Sequence, residues 1–171
     1  MNMTPLVSII MGSTSDLPVM EKAMQFLNDM KVPFEVNALS AHRTPDAVEQ
    51  FAKQARQRGI KVIIAGAGMA AALPGVIAAS TSLPVIGVPI KGSVLDGVDA
   101  LYSILQMPPG IPVATVAING AMNAAILACQ MIALADEQMA RKMETYKSGL
   151  GAKIEKANQA LKEVEYEFKT N

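Results

Sequence analysis

The sequence predicts an α/β fold in which a parallel sheet carries helices on both faces. Short runs rich in Val and Ile alternate with segments of helical periodicity, as in βαβ units. The composition is 51% apolar but only 4% aromatic, with no Trp, which suits helices packed closely on parallel strands. With a length of 171 residues, we expect residues 1–171 to form one domain, with residues 136–171 as a helical extension.

The first half of the chain predicts two βα units. Residues 7–11 are an unbroken apolar run typical of a buried strand, and a helical pattern follows over residues 17–30. Pro33 ends that pattern before a second strand over residues 34–39. Pro45, a residue favoured in the first turn of a helix, opens a helical pattern over residues 45–58.

The next segment repeats this alternation. Gly59 precedes a third strand, and Pro84 and Pro112 precede the fourth and fifth strands. The predicted strands cover residues 62–65, 85–89 and 113–116, and the predicted helices cover residues 71–80 and 96–105. Because crossovers between parallel strands are right-handed, the carboxyl ends of all five strands are expected at one edge of the sheet.

The last third of the chain predicts helices only. Residues 119–135 are almost wholly apolar and rich in Ala, which predicts a helix buried on all sides. From Asp136 onward charged residues are frequent, and apolar residues recur at steps of three and four from Met139 to Val164. This spacing predicts one long amphipathic helix, with a bend near Gly149 and Gly151.

Charge and cysteine content exclude several classes of function. The formal net charge is zero, so the basic surface typical of nucleic-acid or anionic-membrane binding is absent, and no apolar run is long enough to span a membrane. Cys129 is the only cysteine, which rules out an internal disulfide and a Cys/His metal cluster, and its apolar helical context predicts an inert buried thiol. The start of the chain lacks the pattern of a signal peptide, so we expect a cytoplasmic protein.

His42, the only histidine, lies in Ser40-Ala41-His42-Arg43-Thr44-Pro45 at the end of the second predicted strand. Ligands of open α/β sheets bind at this edge. Histidine is the side chain that most readily exchanges protons near neutral pH, and the neighbouring Arg43 is a cation suited to phosphate. The alternative is a hydrogen-bonded structural histidine.

Gly12-Ser13-Thr14-Ser15-Asp16 follows the first strand and precedes the first helix. Gly12 permits a tight turn, and Ser13 and Ser15 offer hydroxyl and backbone N–H groups at a helix N-terminus, where anions bind. Asp16 is predicted to accept hydrogen bonds from ligand hydroxyls or, alternatively, to cap the helix.

A glycine-rich turn follows the third strand. Gly66-x-Gly68-x-x-Ala71 matches a dinucleotide fingerprint formally, but it is not on the first βα turn, and the next strand ends at Pro89-Ile90-Lys91 without an acidic residue. The turn therefore predicts either an oxyanion or carboxylate site or close packing of a helix on the sheet. Together, the three turns predict a pocket for a small phosphorylated molecule, edged by Lys91 and by the loop 106–110.

These segments resemble the class I N5-carboxyaminoimidazole ribonucleotide mutases. The resemblance runs from about Leu6 to Leu134. It is carried by Met11-Gly12-Ser13-x-Ser15-Asp16, Ser40-Ala41-His42-Arg43-Thr44-Pro45, Ala65-Gly66-Ala67-Gly68, Leu73-Pro74-Gly75 and Gln106-Met107-Pro108-x-Gly110-Ile111-Pro112-Val113. It implies a flavodoxin-like three-layer α/β/α fold, a homo-octamer and a step of de novo purine synthesis.

The resemblance also implies roles for individual residues. The carboxylate of an aminoimidazole ribonucleotide moves from the exocyclic nitrogen to ring carbon C4, with His42 as proton shuttle and without a metal, nucleotide or other cofactor. Other positions match groups that bind the substrate: Ser13, Ser15 and Arg43 at the phosphate, Asp16 at the ribose, and Ser40 with the backbone of Gly68, Met69 and Ala70 at the base and carboxylate. Gly12, Ala41 and Leu73 are further expected substrate-binding positions.

One segment departs from the family pattern. Where Gly-Gly-Ala-Ala-His-Leu-Pro-Gly is expected, this chain has Met69 in place of the second glycine and Ala72 in place of the histidine. Either that histidine is dispensable or the reaction has changed. The rest of the motif set favours the mutase, and a carboxylase that takes free carbon dioxide is the alternative. Outside the family, a flavin- or nucleotide-binding module or a non-enzymatic assembly protein are the rival interpretations, although few aromatic residues are available to stack on a flavin.

Overall fold

The computed structural model describes residues 3–171, apart from the side chain of residue 153, and contains a five-stranded sheet in the order β2-β1-β3-β4-β5. All neighbouring strands are parallel. The strands are β1 Val7–Met11, β2 Phe34–Ala38, β3 Val62–Gly68, β4 Val85–Ile90 and β5 Ala114–Thr115. The predicted parallel α/β architecture is confirmed, and each predicted strand is present with its limits shifted by no more than a few residues.

Over residues 3–171, seven α-helices cover the sheet and extend beyond it. They are α1 Leu17–Asp29, α2 Pro45–Ala55, α3 Leu73–Ala79, α4 Val98–Leu105, α5 Ala121–Ala133, α6 Glu137–Gly149 and α7 Gly151–Lys162. Successive strand residues point to opposite faces, so Ile9 packs with α1, α5 and α6, whereas Ile10 packs with α2, α3 and α4. The two apolar cores on either side of the sheet confirm the flavodoxin-like three-layer arrangement.

The glycine-rich segment begins inside the sheet. β3 runs through Gly66 to Gly68, and α3 begins at Leu73 instead of near residue 71. A Cβ atom on Gly66 would lie 2.5 Å from Sδ of Met20 on α1, so at this position the small residue permits close packing of a helix on the sheet. The packing interpretation therefore applies to Gly66, and the turn is formed only by residues after Gly68.

Helix α5 is buried on one face only. Ala121, Ala124, Ala128 and Cys129 are completely buried, whereas Met122 is exposed and Leu134, just beyond the helix, is 90% exposed. The prediction of a helix buried on all sides is therefore wrong for the described chain. An apolar composition does not distinguish one buried face from two, because the less buried face also carries apolar residues such as Met122 and Ile126.

The C-terminal segment also differs from the prediction. Helix α6 is capped by Asp136, whose Oδ1 accepts a hydrogen bond from the Met139 amide at 2.9 Å. Its apolar residues Met139 and Met143 are buried in the core with α5, and the Tyr146 ring meets Phe26 of α1 edge to face. The helical axis is interrupted at Leu150, α7 ends at Lys162, and Ile154 is 65% exposed. The two helices meet at Leu150, between Gly149 and Gly151, where the bend was predicted, and only the first of them buries the predicted apolar stripe.

None of the helices described over residues 3–171 has both the length and the hydropathy needed to cross a bilayer.

Candidate active site

A cavity of about 870 Å³ opens at the carboxyl edge of the sheet, above β1 to β4. This size is within the range of pockets that enclose small-molecule ligands. Four loops and the first turn of α4 line it. The lining residues are Gly12, Ser13, Ser15 and Asp16 after β1, residues 40–43 after β2, residues 67–73 at the end of β3 and beyond, residues 90–94 at the end of β4 and beyond, and Asp99 on α4. All twelve residues predicted for the site lie in this wall. Their individual roles remain predictions.

The turn after β1 is organised by its own hydroxyl groups. Ser13 Oγ accepts a hydrogen bond from the Ser15 amide at 3.3 Å and so caps the short 3₁₀ turn Thr14–Asp16. Asp16 does not cap α1 with its side chain, which excludes the capping alternative. Its carboxyl group is instead buried in the cavity wall, and desolvation raises its pKa more than hydrogen bonds from Ser13, Ser15 and Gly12 lower it.

The turn after β2 is rigidly hydrogen-bonded. Thr44 Oγ1 accepts from the Ser40 amide at 3.0 Å, and the Arg43 amide donates to Ser40 Oγ at 3.2 Å. The Arg43 guanidinium reaches across to the neighbouring turn, where Nη2 donates to the Gly12 carbonyl at 3.1 Å. Arg43 thus joins the two turns, and it places a cation beside the hydroxyl groups that were predicted to bind phosphate.

His42 is exposed at the mouth of the cavity. None of the hydrogen bonds found among residues 3–171 involves its imidazole, and it belongs to neither apolar core. The alternative of a hydrogen-bonded structural histidine therefore has no support in the structure. The ring can reach a ligand without first breaking a contact within the described chain.

The turn after β3 is strained and apolar. Met69 has φ +55°, a conformation that side chains with a Cβ rarely adopt, and its apolar side chain is 70% exposed. A Cβ atom on Gly68 would lie 3.3 Å from the Ile90 carbonyl oxygen, so the backbone passes close to β4 here. Ala72, which replaces the expected histidine, also lies in the cavity wall. This side of the cavity is therefore apolar where the family pattern would place an imidazole.

Sequence reasoning largely missed the wall that follows β4. Lys91, expected at the edge of the pocket, does lie there, and its Nζ pairs with Asp96 Oδ1 at 2.8 Å. Asp99 and residues 92–94 lack a recognisable motif, and the only signal for them was their position after a predicted strand in the same parallel sheet. Among residues 3–171, no three His, Cys, Asp or Glu side chains are placed to hold a metal ion.

Two other sequence expectations concern residues away from the cavity. The loop 106–110 does not line it, because it follows α4, which runs back toward the amino ends of the strands; Met107 packs near Gly75 instead. Cys129 is fully buried on α5, and burial raises the pKa of its thiol to about 11, so the thiol is inert as expected.

Comparison with known proteins finds similarity along most of the chain. Residues 6–153 match the family described as AIR carboxylase. N5-carboxyaminoimidazole ribonucleotide mutase of Pyrococcus horikoshii is 53% identical over 163 residues, which cover 95% of this chain and 92% of that protein. The enzyme of the same name from Bacillus subtilis is 56% identical over 144 residues, 83% of this chain and 89% of that protein.

Two further similarities concern a carboxylase and a solved structure. Phosphoribosylaminoimidazole carboxylase of Saccharomyces cerevisiae is 61% identical over 142 residues, but these are 83% of this chain and only 25% of the yeast protein. The crystal structure of Treponema denticola PurE superposes with a TM-score of 0.83 at 32% identity, and it covers 92% of this chain and 99% of that one.

Proposed function

This chain belongs to the AIR carboxylase family, and we infer that it is an N5-carboxyaminoimidazole ribonucleotide mutase, an isomerase of purine biosynthesis. It moves the carboxylate of its substrate from the exocyclic nitrogen to ring carbon C4, giving 4-carboxy-5-aminoimidazole ribonucleotide. The observation that carries this conclusion is identity above half with two mutases that this chain matches over nearly their whole length. Residues 1–171 act as one catalytic domain with a helical extension from residue 136.

The phosphate and ribose bind over β1 and β2. Ser13, Ser15 and the Arg43 guanidinium lie together there, and charge-assisted hydrogen bonds from Arg to phosphate are strong and directional. Gly12 permits the close approach of the backbone. The buried Asp16 carboxyl group accepts hydrogen bonds from the ribose hydroxyls, which replace the water that it loses on burial.

The base and its carboxylate bind toward β3 and β4. Ser40 and Ala41 border this part of the cavity from the β2 side, and Gly68, Met69, Ala70 and Leu73 border it from the β3 side. Backbone N–H groups of the turn after β3 face the carboxylate. The apolar side chains of Met69 and Leu73 limit the escape of carbon dioxide, so its recapture benefits from proximity.

His42 carries the proton between the two halves of the reaction. In the first half, the bond between the exocyclic nitrogen and the carboxylate carbon breaks, carbon dioxide is released into the cavity, and the imidazolium protonates the nitrogen. In the second half, C4 forms a bond to carbon dioxide, and the neutral imidazole removes the C4 proton. The proton count and oxidation state are unchanged overall, so the reaction as proposed uses no cofactor.

The protein acts as a homo-oligomer, which we propose to be an octamer, in the cytoplasm. Large apolar side chains on and before α4 support self-association: Val94, Leu95, Val98, Tyr102 and Leu105 are 44–86% exposed. Val94 also lines the cavity, so a second copy seated on this face would narrow the opening. Light scattering in solution measures the assembled mass, and a monomeric mass would contradict this proposal.

A carboxylase that uses free carbon dioxide is the second candidate, because Met69 and Ala72 replace residues of the expected pattern in the cavity wall. One assay separates the two functions. Purified protein is offered N5-carboxyaminoimidazole ribonucleotide and, separately, aminoimidazole ribonucleotide with bicarbonate. We expect turnover of the N-carboxylated compound only. Efficient use of the second mixture would establish the carboxylase. Absence of both activities would favour a flavin- or nucleotide-binding module instead.

A further inference from the structure

Apart from His42, the cavity wall described within residues 3–171 carries two basic side chains, Arg43 and Lys91, at opposite ends. Arg43 follows β2, on the side to which the phosphate is assigned, whereas Lys91 is the first residue after β4. The substrate of the proposed reaction also carries two separate anionic groups, its phosphate and its carboxylate. Because hydrogen bonds between charged groups are stronger than neutral ones, the second cation is a suitable partner for the carboxylate.

Lys91 lies beside the turn that follows β3. In the register of the sheet, Gly68 is opposite Ile90, the residue before Lys91. Neighbouring strands are about 4.8 Å apart, so a carboxylate held by the backbone N–H groups after Gly68 is within reach of the four-carbon stem of this lysine. The strand order places β3 between β1 and β4, so His42 approaches from the opposite side. A carboxylate over β3 therefore has the imidazole on one side and the ammonium group on the other.

The main chain of Lys91 is held firmly. Its amide donates to Asn119 Oδ1 at 2.9 Å, and Asn119 has φ +58°, a conformation that residues with a Cβ rarely adopt. A Cβ atom on Gly97, which has φ +89°, would lie 3.0 Å from the Lys91 Cα, so the chain before α4 also passes close to this position. These contacts fix the point at which the lysine side chain leaves the backbone.

The side chain of Lys91, in contrast, has a partner that it can exchange. Its Nζ pairs with Asp96 Oδ1 at 2.8 Å, and the two side chains are 55% and 76% exposed. An exposed ion pair contributes little to stability, because water solvates both partners well. An anion inside the cavity has less access to water, so its attraction to the ammonium group is stronger and it displaces Asp96.

A lysine at this position also compensates for the departure from the family pattern. Ala72 lies in the cavity wall where that pattern has a histidine, and an alanine side chain offers no hydrogen-bond donor to an anion. The neighbouring side chains of Met69, Ala70 and Leu73 are apolar as well. Among the described residues that line the β3 and β4 side of the cavity, Lys91 is the one with a positive charge.

We propose that the Lys91 ammonium group leaves Asp96 and binds the carboxylate of the substrate and of the product, an inference that rests on the proposed function. The carboxylate moves between two nearby atoms of one small molecule, so a cation on a flexible stem can follow it. As C4 attacks carbon dioxide, negative charge develops on the carbon dioxide oxygens, and the ammonium group stabilises that charge. No proton leaves Lys91: the bond that forms is C4 to carbon dioxide, the bond that breaks is C4 to hydrogen, and that proton goes to His42.

Binding measurements separate this contact from the phosphate contact. Isothermal titration calorimetry measures Kd for 4-carboxy-5-aminoimidazole ribonucleotide, which has the carboxylate, and for aminoimidazole ribonucleotide, which lacks it. We expect Lys91→Met to weaken binding of the carboxylated compound by about 10- to 100-fold, as for the loss of a hydrogen bond between charged groups, and binding of the other compound by about 2-fold or less. Lys91→Arg keeps the positive charge and should retain most of the affinity for the carboxylated compound.

Two further variants serve as controls. Lys53→Met also breaks an exposed ion pair, the one with Glu49 on α2, but Lys53 does not line the cavity, so both Kd values should be unchanged. Asp96→Asn removes the competing carboxylate, and asparagine tolerates the φ of +53° at this position. This variant should bind the carboxylated compound as tightly as the wild type or more tightly, by up to about 5-fold.

The outcomes that contradict the contact are distinct from failure of the proposed function. Equal weakening of both compounds by Lys91→Met would place Lys91 at the phosphate, and unchanged binding of both would exclude any contact; either result overturns the inference alone. Loss of affinity for the carboxylated compound in Asp96→Asn equal to that in Lys91→Met would show that the intact ion pair is required, which overturns the exchange of partners. Failure of the wild-type protein to bind either compound overturns the proposed function and this inference with it.

Discussion

The two sides of the cavity differ in how completely their own polar groups are satisfied. Over β1 and β2, Ser13 Oγ accepts from the Ser15 amide, and Arg43 donates both to Ser40 Oγ and to the Gly12 carbonyl. Over β3 and β4, Met69 is held in a rare backbone conformation and Asp99 has an oxygen without a partner. The first side is organised in advance to hold an anion, whereas the second contains a strained turn and an oxygen that its own residues leave without a partner. This division suits an enzyme that anchors one end of its substrate and performs chemistry at the other.

Replacement of His42 tests whether the β2 side also takes part in the chemistry. Asn at position 42 keeps a polar side chain but cannot exchange protons near neutral pH. We expect His42→Asn to lower kcat by about 10²- to 10⁴-fold, the usual contribution of general acid–base catalysis. The melting temperature and the assembled mass should not change, because the imidazole is exposed. Full turnover by this variant would rule out the proton-shuttle role.

Replacement of Arg43 separates anchoring from chemistry. Arg43→Lys retains the charge but loses the forked geometry that reaches both a phosphate and the Gly12 carbonyl. We expect KM to rise by about 10- to 100-fold with a smaller change in kcat, as for the loss of one charged hydrogen bond. Arg56→Lys is the matched control, since Arg56 donates to Ser82 on the exposed surface and does not line the cavity. Equal effects of the two substitutions on KM would contradict the anchoring role.

More of the residues on the β1 and β2 side of the cavity could be predicted from the sequence than of those beside β4. On the β1 and β2 side, Ser13, Asp16 and His42 follow strands directly, so strand periodicity and turn chemistry locate them. On the other side, Asp99 is several residues beyond β4 and is carried to the cavity by the first turn of α4. Local patterns do not show where such a helix begins in space. The same reason explains why the loop 106–110 was misplaced.

The fold was predicted most accurately where packing is local. The strands β1, β3 and β4 are apolar runs that are buried almost throughout, as their composition predicts, and the partly exposed β2 and β5 were also predicted. The C-terminal segment was predicted less well, since its periodicity from Met139 onward shows an amphipathic helix without showing what covers it. In the structure, Met139 and Met143 are buried against the domain, while Ile154 and Leu161 are exposed.

Asp16 connects the binding side of the cavity to the stability of the fold. Desolvation raises the pKa of its carboxyl above the ordinary value of 3.8, so the folded state binds this proton more tightly than the unfolded chain does. The stability associated with this proton is present below the ordinary pKa and is lost as pH rises through the folded pKa. At neutral pH the ionised group therefore lowers the free energy of unfolding.

Asp16→Asn should accordingly stabilise the protein at neutral pH and weaken substrate binding. A rise in melting temperature of about 2–4 °C corresponds to about 1 kcal/mol in a domain of this size. Thermal unfolding followed from pH 7 to pH 3.5 should show this advantage shrinking as the wild-type carboxyl becomes protonated. Glu144→Gln, an exposed position in the middle of α6, should show no comparable gain. A melting-temperature difference between Asp16→Asn and wild type that does not depend on pH would contradict this account.

The smallest expected effect is at Met69, on the β3 and β4 side of the cavity. Glycine adopts φ near +55° without a Cβ clash, so Met69→Gly removes backbone strain of about 1–2 kcal/mol, offset in part by the greater freedom of glycine in the unfolded chain. We expect a net gain in stability of up to about 1 kcal/mol by chemical denaturation, together with a lower kcat, because the apolar side chain that limits the escape of carbon dioxide is lost. Lys31→Gly is the matched control: Lys31 has φ +56° between α1 and β2, away from the cavity, and its replacement should give a similar gain with unchanged kcat. If both variants gain stability and neither loses kcat, the strained backbone and side chain of Met69 do not contribute to catalysis.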